Sequence, residues 1–201
     1  MAAAFLLLAA CDRGAVPLPM DPRGGLQHPR LAIPEHGIYQ GAYMDWGDRE
    51  DSVTIEGIEQ FETMVGKHQA IVASSSYWGE QTFPDENVRL IARHGSIPLI
   101  FWSPWDRPYA EGRGPDKYSL TSIIAGEHDA YIDMWAEHAR AFDYPVIVSF
   151  ANEMNGSWFP WSGVLYGGNK VIPGTKPPQF EGPETFKKAY RHVVDRVRSK
   201  G

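Results

Sequence analysis

At 201 residues the chain has the length of one domain with room for a core, and 43% hydrophobic and 22% charged residues are globular proportions. A net charge of −6 with no basic run argues against a nucleic-acid partner. Aromatics make up 12% with seven Trp, a heavy load for this length that asks for an explanation.

Residues 2–10 are almost purely apolar, with Phe5, Leu6, Leu7 and Leu8 in the run. The run is too short to span a bilayer and reads as an export signal. It ends in Leu8-Ala9-Ala10-Cys11, which resembles the bacterial lipobox and implies cleavage before Cys11 and lipidation of its thiol. An ordinary signal peptide is the alternative. Cys11 is the sole cysteine, so no disulfide can form within the chain. No Lys or Arg precedes the run, where a positive segment is expected, which points to a start upstream of Met1. Residues 12–35, with several Pro and Gly, read as a flexible tether and leave 36–201 as the folded part. The expectation is an exported protein, lipid-anchored in a bacterial cell envelope and touching membrane only through Cys11.

Four strand-then-helix units follow. Residues 37–43 predict the first strand, and Ile55, Ile58, Phe61 and Val65 recur at helical spacing behind Thr54, a fair N-cap. Residues 70–74 predict the second strand, with Ser74-Ser75-Ser76 as the turn at its end. Its helix opens at Pro84, carries Val88 and Ile91, and stops at Gly95. Residues 98–102 predict the third strand, and a helix over 129–142 follows a loop rich in Gly, Pro and charge. Residues 145–151 predict the fourth strand. A long loop with Gly167-Gly168 as a hinge leads to Pro183 and a last helix faced by Phe186, Tyr190, Val193 and Val197. Strands alternating with helices imply an α/β fold with a parallel sheet and right-handed crossovers.

The stretch Phe150-Ala151-Asn152-Glu153-Met154-Asn155-Gly156-Ser157-Trp158-Phe159-Pro160-Trp161 carries the chemistry. The apolar run 146–150 reads as a buried parallel strand that delivers a carboxylate to its C-terminal end. That end is where β/α barrels put their active sites. Glu beside Trp suits sugar chemistry, since flat rings cover a pyranose face while a carboxylic acid protonates the glycosidic oxygen. The alternative is a turn-capping Glu with core tryptophans. Six Trp follow strand ends: Trp46, Trp78, Trp102 and Trp105, and Trp158 and Trp161. With Tyr43 they are expected to line a sugar cleft on one rim, although barrel-top packing is an equal reading for Trp102 and Trp105. Trp135, inside a helix, is expected in the core.

These residues resemble glycoside hydrolase family 26, retaining (β/α)8 TIM-barrel enzymes acting on β-mannans and, in some members, mixed-linkage β-glucans or xylans. The family's fourth-strand signature, His-Glu-Met-Asn-Gly-x-Trp-x-x-Trp, is similar to Asn152 through Trp161 here. Weaker similarity lies at 37–43, 102–105, 128–132 and 190–193, so the likeness spans roughly residues 35–201. It implies that Glu153 is the general acid/base, that Trp158 and Trp161 are subsite platforms, and that Trp102 and Trp105 extend the cleft. Asn152 stands where the family usually has His. Across the wider clan an Asn commonly holds that place and hydrogen-bonds the sugar 2-hydroxyl. The departure leaves the glycan open between β-mannan and mixed-linkage β-glucan.

The resemblance also implies a nucleophilic Glu near the end of a seventh strand, which the sequence does not contain. Four βα units are half of a fold that typically takes about 250 residues, and the chain is expected to be a fragment truncated at both ends. Asp45, Glu80 and Asp106 are predicted near the same rim, as loop-solvating or hydroxyl-binding carboxylates rather than the nucleophile. No HExxH, nucleophile elbow, phosphate loop or dinucleotide fingerprint occurs, and His128 and His138 lack metal-ligand spacing, so no metal or cofactor is expected. Two function classes remain. One is an endo-acting β-glycan hydrolase; the other is a non-catalytic carbohydrate-binding envelope lipoprotein that uses its aromatic rim.

Overall fold

A computed structural model describes Leu31 and residues 34–48, 50–106 and 117–201. Cys11, the export signal and most of the tether lie outside the described residues. No helix among the described residues is long and apolar enough to cross a membrane.

Four strands, β1 (Gly41–Tyr43), β2 (Ile71–Tyr77), β3 (Ile97–Ser103) and β4 (Ile147–Phe150), form one sheet in that order. Every neighbouring pair is parallel, as the strand-helix alternation predicts. The helices are α1 (Ile55–Val65), α2 (Asp85–Arg93), α3 (Leu120–Ile124), α4 (Asp129–Ala141) and α5 (Glu181–Arg198). Thr54 caps α1 through its hydroxyl, which accepts from the Gly57 N–H. Gly66 ends that helix at φ 70°, a left-handed backbone that costs glycine little. Pro183 falls in the first turn of α5, where its missing N–H has no helical partner to lose.

The largest departure from expectation is β2. It runs through Ser74-Ser75-Ser76 to Tyr77 instead of turning there. All three serines are buried, and each pairs with β3, from Ser74 opposite Ile100 to Ser76 opposite Trp102. Small side chains leave room for the neighbouring strand's large ones, so serine here fills a sheet interior rather than a turn. The short helix α3 was not anticipated; Ser119 caps it by accepting from the Ser122 N–H.

Side-chain parity then divides the sheet into two faces. Val72, Ile100, Trp102 and Phe150 turn toward the helices. The large core unites Trp78, Trp102, Phe150, Val88, Ile132, Trp135, Ala189 and Val193. Trp135 is buried as expected and stacks on Trp102 with centroids 4.4 Å apart. A second cluster joins Trp46, Val53, Ile58, Val72 and Ile91 between α1 and the sheet. The odd-numbered residues Ser75, Tyr77, Phe101 and Ser103 turn the other way.

A polar clamp fastens α5 to α4. Arg196 Nε and Nη2 donate to the two oxygens of Asp133 at 2.5 and 2.7 Å, and Lys200 Nζ lies 2.7 Å from the same carboxylate. The Arg196 hydrogen bonds, aided by Lys200, hold the Asp133 carboxyl down at about 2 against an ordinary 3.8. The folded value is the lower one. The clamp's stabilisation is therefore complete above pH 3.8 and is lost as pH falls toward 2. Asp133→Asn is expected to cost about 1 kcal/mol at neutral pH, the upper end for a partly exposed pair. Thermal melts should show that difference at neutral pH and its disappearance near pH 2.

Candidate functional site

The C-terminal ends of all four strands open onto a cavity of about 360 Å³. Tyr43 enters it from β1, Ser75 and Tyr77 from β2, and Phe101 and Ser103 from β3. Asn152 and Glu153 enter just beyond β4, and Trp105 and Phe159 close the wall. Ser75 is paired with Phe101 and Tyr77 with Ser103, so the same-face rule brings a hydroxyl and a ring together at each level.

Glu153 is exposed at the mouth. The backbone that carries it is unusual: Ala151 (φ 49°) and Glu153 (φ 53°) are both left-handed without being glycine. Each costs of order 1–2 kcal/mol, and such strain collects at functional sites. Hydrogen bonds hold the turn in place. The Ala151 N–H donates to the Trp102 carbonyl (3.2 Å) and the Gly156 N–H to the Glu153 carbonyl (2.9 Å). Trp161 Nε1 donates to the Asn152 carbonyl (2.8 Å). Ser103 Oγ reaches Asn152 Oδ1 at 3.4 Å, which fixes the amide beside the cavity.

Trp158 Nε1 donates to Glu153 Oε2 at 2.8 Å while its ring remains 62% exposed. The ring lies across Gly156, where a Cβ would come within 2.4 Å of it. Gly156→Ala is therefore expected to displace the indole and break its bond to Glu153 with little change in fold. A displaced Trp158 indole N–H resonance, identified by its absence from the Trp158→Phe protein, would report it.

The tryptophans separate sharply. Trp158 stands at the rim, and Trp105 lines the cavity while largely buried. Trp161 is buried behind them, stacked on Phe159 at 4.5 Å and edge-on to Trp105 at 5.4 Å. It supports the wall rather than offering a face. Trp46, Trp78 and Trp102 do not form the expected sugar platforms. Trp46 is buried with its Nε1 bonded to the Ala73 carbonyl (2.7 Å). Trp102 has the even parity that turns it to the helices, with its Nε1 donating to the Tyr131 hydroxyl (3.0 Å). Trp78 is 0% exposed, ringed by Trp102, Tyr118, Tyr131 and Phe150. Following a strand end does not put a ring on the open face; parity and the covering helices decide that.

Sequence reasoning missed Ser75, Tyr77, Phe101, Ser103 and Phe159 as cavity residues, and above all Glu50. Glu50 sits in a loop with φ 55°, and its carbonyl accepts from the Ser75 N–H at 2.9 Å. Its carboxylate accepts from Ser75 Oγ at 3.4 Å and faces Tyr43 across the cavity wall. Partial burial, then the Glu50 carboxylate, push the Tyr43 phenol well above its ordinary range. No local pattern marks Glu50. Ser75, Tyr77, Phe101 and Ser103 were readable from parity once β2 was extended. Asp45, Glu80 and Asp106 do not line the cavity: Asp45 accepts from the Gly47 N–H (2.9 Å) and Asp106 lies 3.6 Å from Lys117 Nζ.

The chain is similar to endoglucanase H of Acetivibrio thermocellus, 27% identical over 149 residues. The match takes in 72% of this chain and 14% of that much longer protein. No protein-family model matches the chain.

Proposed function

We propose that this chain carries the acid/base half of a retaining, endo-acting glycoside hydrolase site for β-linked glucan, built on the first four units of a (β/α)8 barrel. The carrying observation is Glu153 at the C-terminal end of the last strand, held by the Trp158 indole at the mouth of a ring- and hydroxyl-lined cavity. The family 26 resemblance and the similarity to an endoglucanase support the same chemistry. Asn152 in the place of His, together with the relative's name, favours mixed-linkage β-glucan over β-mannan.

In this reading the Glu153 carboxylic acid gives its proton to the glycosidic oxygen as a second carboxylate attacks the anomeric carbon. The C–O bond breaks and a glycosyl ester forms. Glu153, now ionised, takes a proton from water, whose oxygen displaces the ester with net retention. The attacking carboxylate belongs about 5–5.5 Å from Glu153, and the family 26 resemblance puts it near the end of a seventh strand. Glu50, Ser75, Ser103 and the Asn152 amide bind sugar hydroxyls, while Trp158, Trp105 and Phe159 cover ring faces. The protein is exported and held to the bacterial envelope through a lipid on Cys11, on the strength of Leu8-Ala9-Ala10-Cys11.

A second reading, a carbohydrate-binding envelope lipoprotein without turnover, is favoured by the exposed Trp158 ring beside a cavity whose other carboxylate is engaged by Ser75. Reducing-end release from mixed-linkage β-glucan and β-mannan by a protein that carries this chain together with the seventh-strand carboxylate separates the two. Release identifies a hydrolase and names its glycan; saturable binding with no release identifies the binding protein.

A further inference from the structure

At the opposite end of the sheet, beneath the N-terminal ends of β2 and β3, three residues from separate segments converge. Glu62 lies in the last turn of α1, His68 in the loop before β2, and His94 at the end of α2. One nitrogen of each imidazole and a Glu62 oxygen all lie within 4.8 Å of one another. His68 Nδ1 is 2.9 Å from Glu62 Oε1, and His94 Nε2 is 3.5 Å from Glu62 Oε2. The two rings stack with centroids 5.2 Å apart. All three side chains are largely withdrawn from water, at 16% exposure for Glu62, 11% for His94 and 34% for His68.

The hydrogen bonding determines which lone pairs point inward. Ser96 Oγ lies 2.7 Å from the Gln69 carbonyl, which can only accept, so the single hydroxyl proton goes there. His94 Nδ1, 3.0 Å from the same oxygen, must then be the donor. With Nδ1 protonated, the neutral imidazole aims its Nε2 lone pair at the Glu62 carboxylate. Two lone pairs facing each other in a half-buried site call for a cation between them, a proton or a metal ion. His68 supplies a second imidazole, and its Nε2 is buried without a partner. The Gln69 N–H, 2.7 Å from Glu62 Oε1, orients the carboxylate. A ligating His normally has its other nitrogen fixed by an outer partner, which is the position of Ser96.

We infer that Glu62, His68 and His94 form a zinc-type divalent cation site, with the fourth position open to solvent beside His68. Two imidazoles and a carboxylate are a donor set suited to zinc with one water. Ligands about 2.0–2.1 Å from a tetrahedral ion stand roughly 3.3 Å apart, so the widest pair has to close by no more than about 1.5 Å. The ion ties α1, the loop before β2 and the end of α2 together, far from the cavity. It is a clamp on the scaffold, independent of the glycan-binding reading. The spacing 62, 68, 94 resembles no metal motif, so only the tertiary structure reveals it.

The test is equilibrium binding of Zn²⁺ to the tag-free, chelator-stripped full chain, with Co²⁺ as the spectroscopic stand-in. One ion per chain at micromolar zinc, a raised melting temperature and a tetrahedral Co²⁺ absorption band are expected. His94→Gln and Glu62→Gln should lose binding, Ser96→Ala should weaken it roughly ten- to a hundred-fold, and Glu153→Gln should leave it intact. If a ligand variant fails to fold, Zn²⁺-induced shifts of the His68 and His94 ring resonances in the unaltered chain give the answer directly. Absence of stoichiometric uptake, or uptake that leaves those two resonances unmoved, would overturn the assignment.

Discussion

In a protein that also carries the attacking carboxylate, Glu153→Gln is expected to lower glycan hydrolysis by about 10²–10⁴-fold while glycan affinity stays nearly unchanged. The amide matches the carboxylate in shape, and its oxygen can still accept from Trp158 Nε1, so the strained turn at residues 151–153 loses none of its supports. What disappears is the proton. Both chemical steps need it, the first as a gift to the departing oxygen and the second as a transfer from water. A loss of that size corresponds to roughly 3–5 kcal/mol of transition-state stabilisation. An aryl glycoside whose leaving group departs without protonation should recover the first step and accumulate the glycosyl ester. Reducing-end assays on polysaccharide and on aryl glycoside, run side by side, check both halves. Full turnover by the variant would remove Glu153 from the chemistry.

Truncating Trp78 and Trp158 to Ala should produce opposite outcomes. Trp78→Ala is expected to cost about 3–5 kcal/mol. The side chain is wholly buried and its ring touches five other aromatic rings, so the vacated volume cannot close without moving α4 and β4. Against a total of about 5–15 kcal/mol for an ordinary domain, that is enough to leave much of the protein unfolded. Trp158→Ala touches little of the core and should shift stability by no more than about 0.5 kcal/mol, as exposed substitutions do. In the glycan-binding reading its effect is expected in binding, where a sugar face loses its platform and Glu153 loses its donor. Thermal melts paired with glycan titration read the two quantities. A Trp78→Ala protein that melts normally would contradict the burial described above; unaltered glycan affinity in Trp158→Ala would remove that ring from the site.

These contrasts mark what local sequence can and cannot say. The order of strands and helices follows from period-two and period-3.6 patterns, from Thr54 as a cap and from Gly66 as a stop, all of which act within a few residues. Glu153 at the end of the fourth strand is legible for the same reason, since the apolar run and the carboxylate are adjacent in the chain. The end of β2 is not legible locally because three serines favour turns on their own, whereas pairing with all seven residues of β3 rewards extending the strand.

Sequence by itself thus determined the parallel α/β arrangement and the position of its single strand-end glutamate followed by tryptophans. The tertiary structure alone decided which rings are covered. Trp102 and Phe101 are neighbours in the chain, yet one packs under α4 and the other faces the cavity, because alternate residues face opposite sides and only one side is roofed by helices. It alone also brought Glu50 to Tyr43 and Ser75, and gathered Glu62, His68 and His94. Those contacts join segments whose separation along the chain carries no periodic signal, and only the packing of helices onto the sheet sets the distance between them.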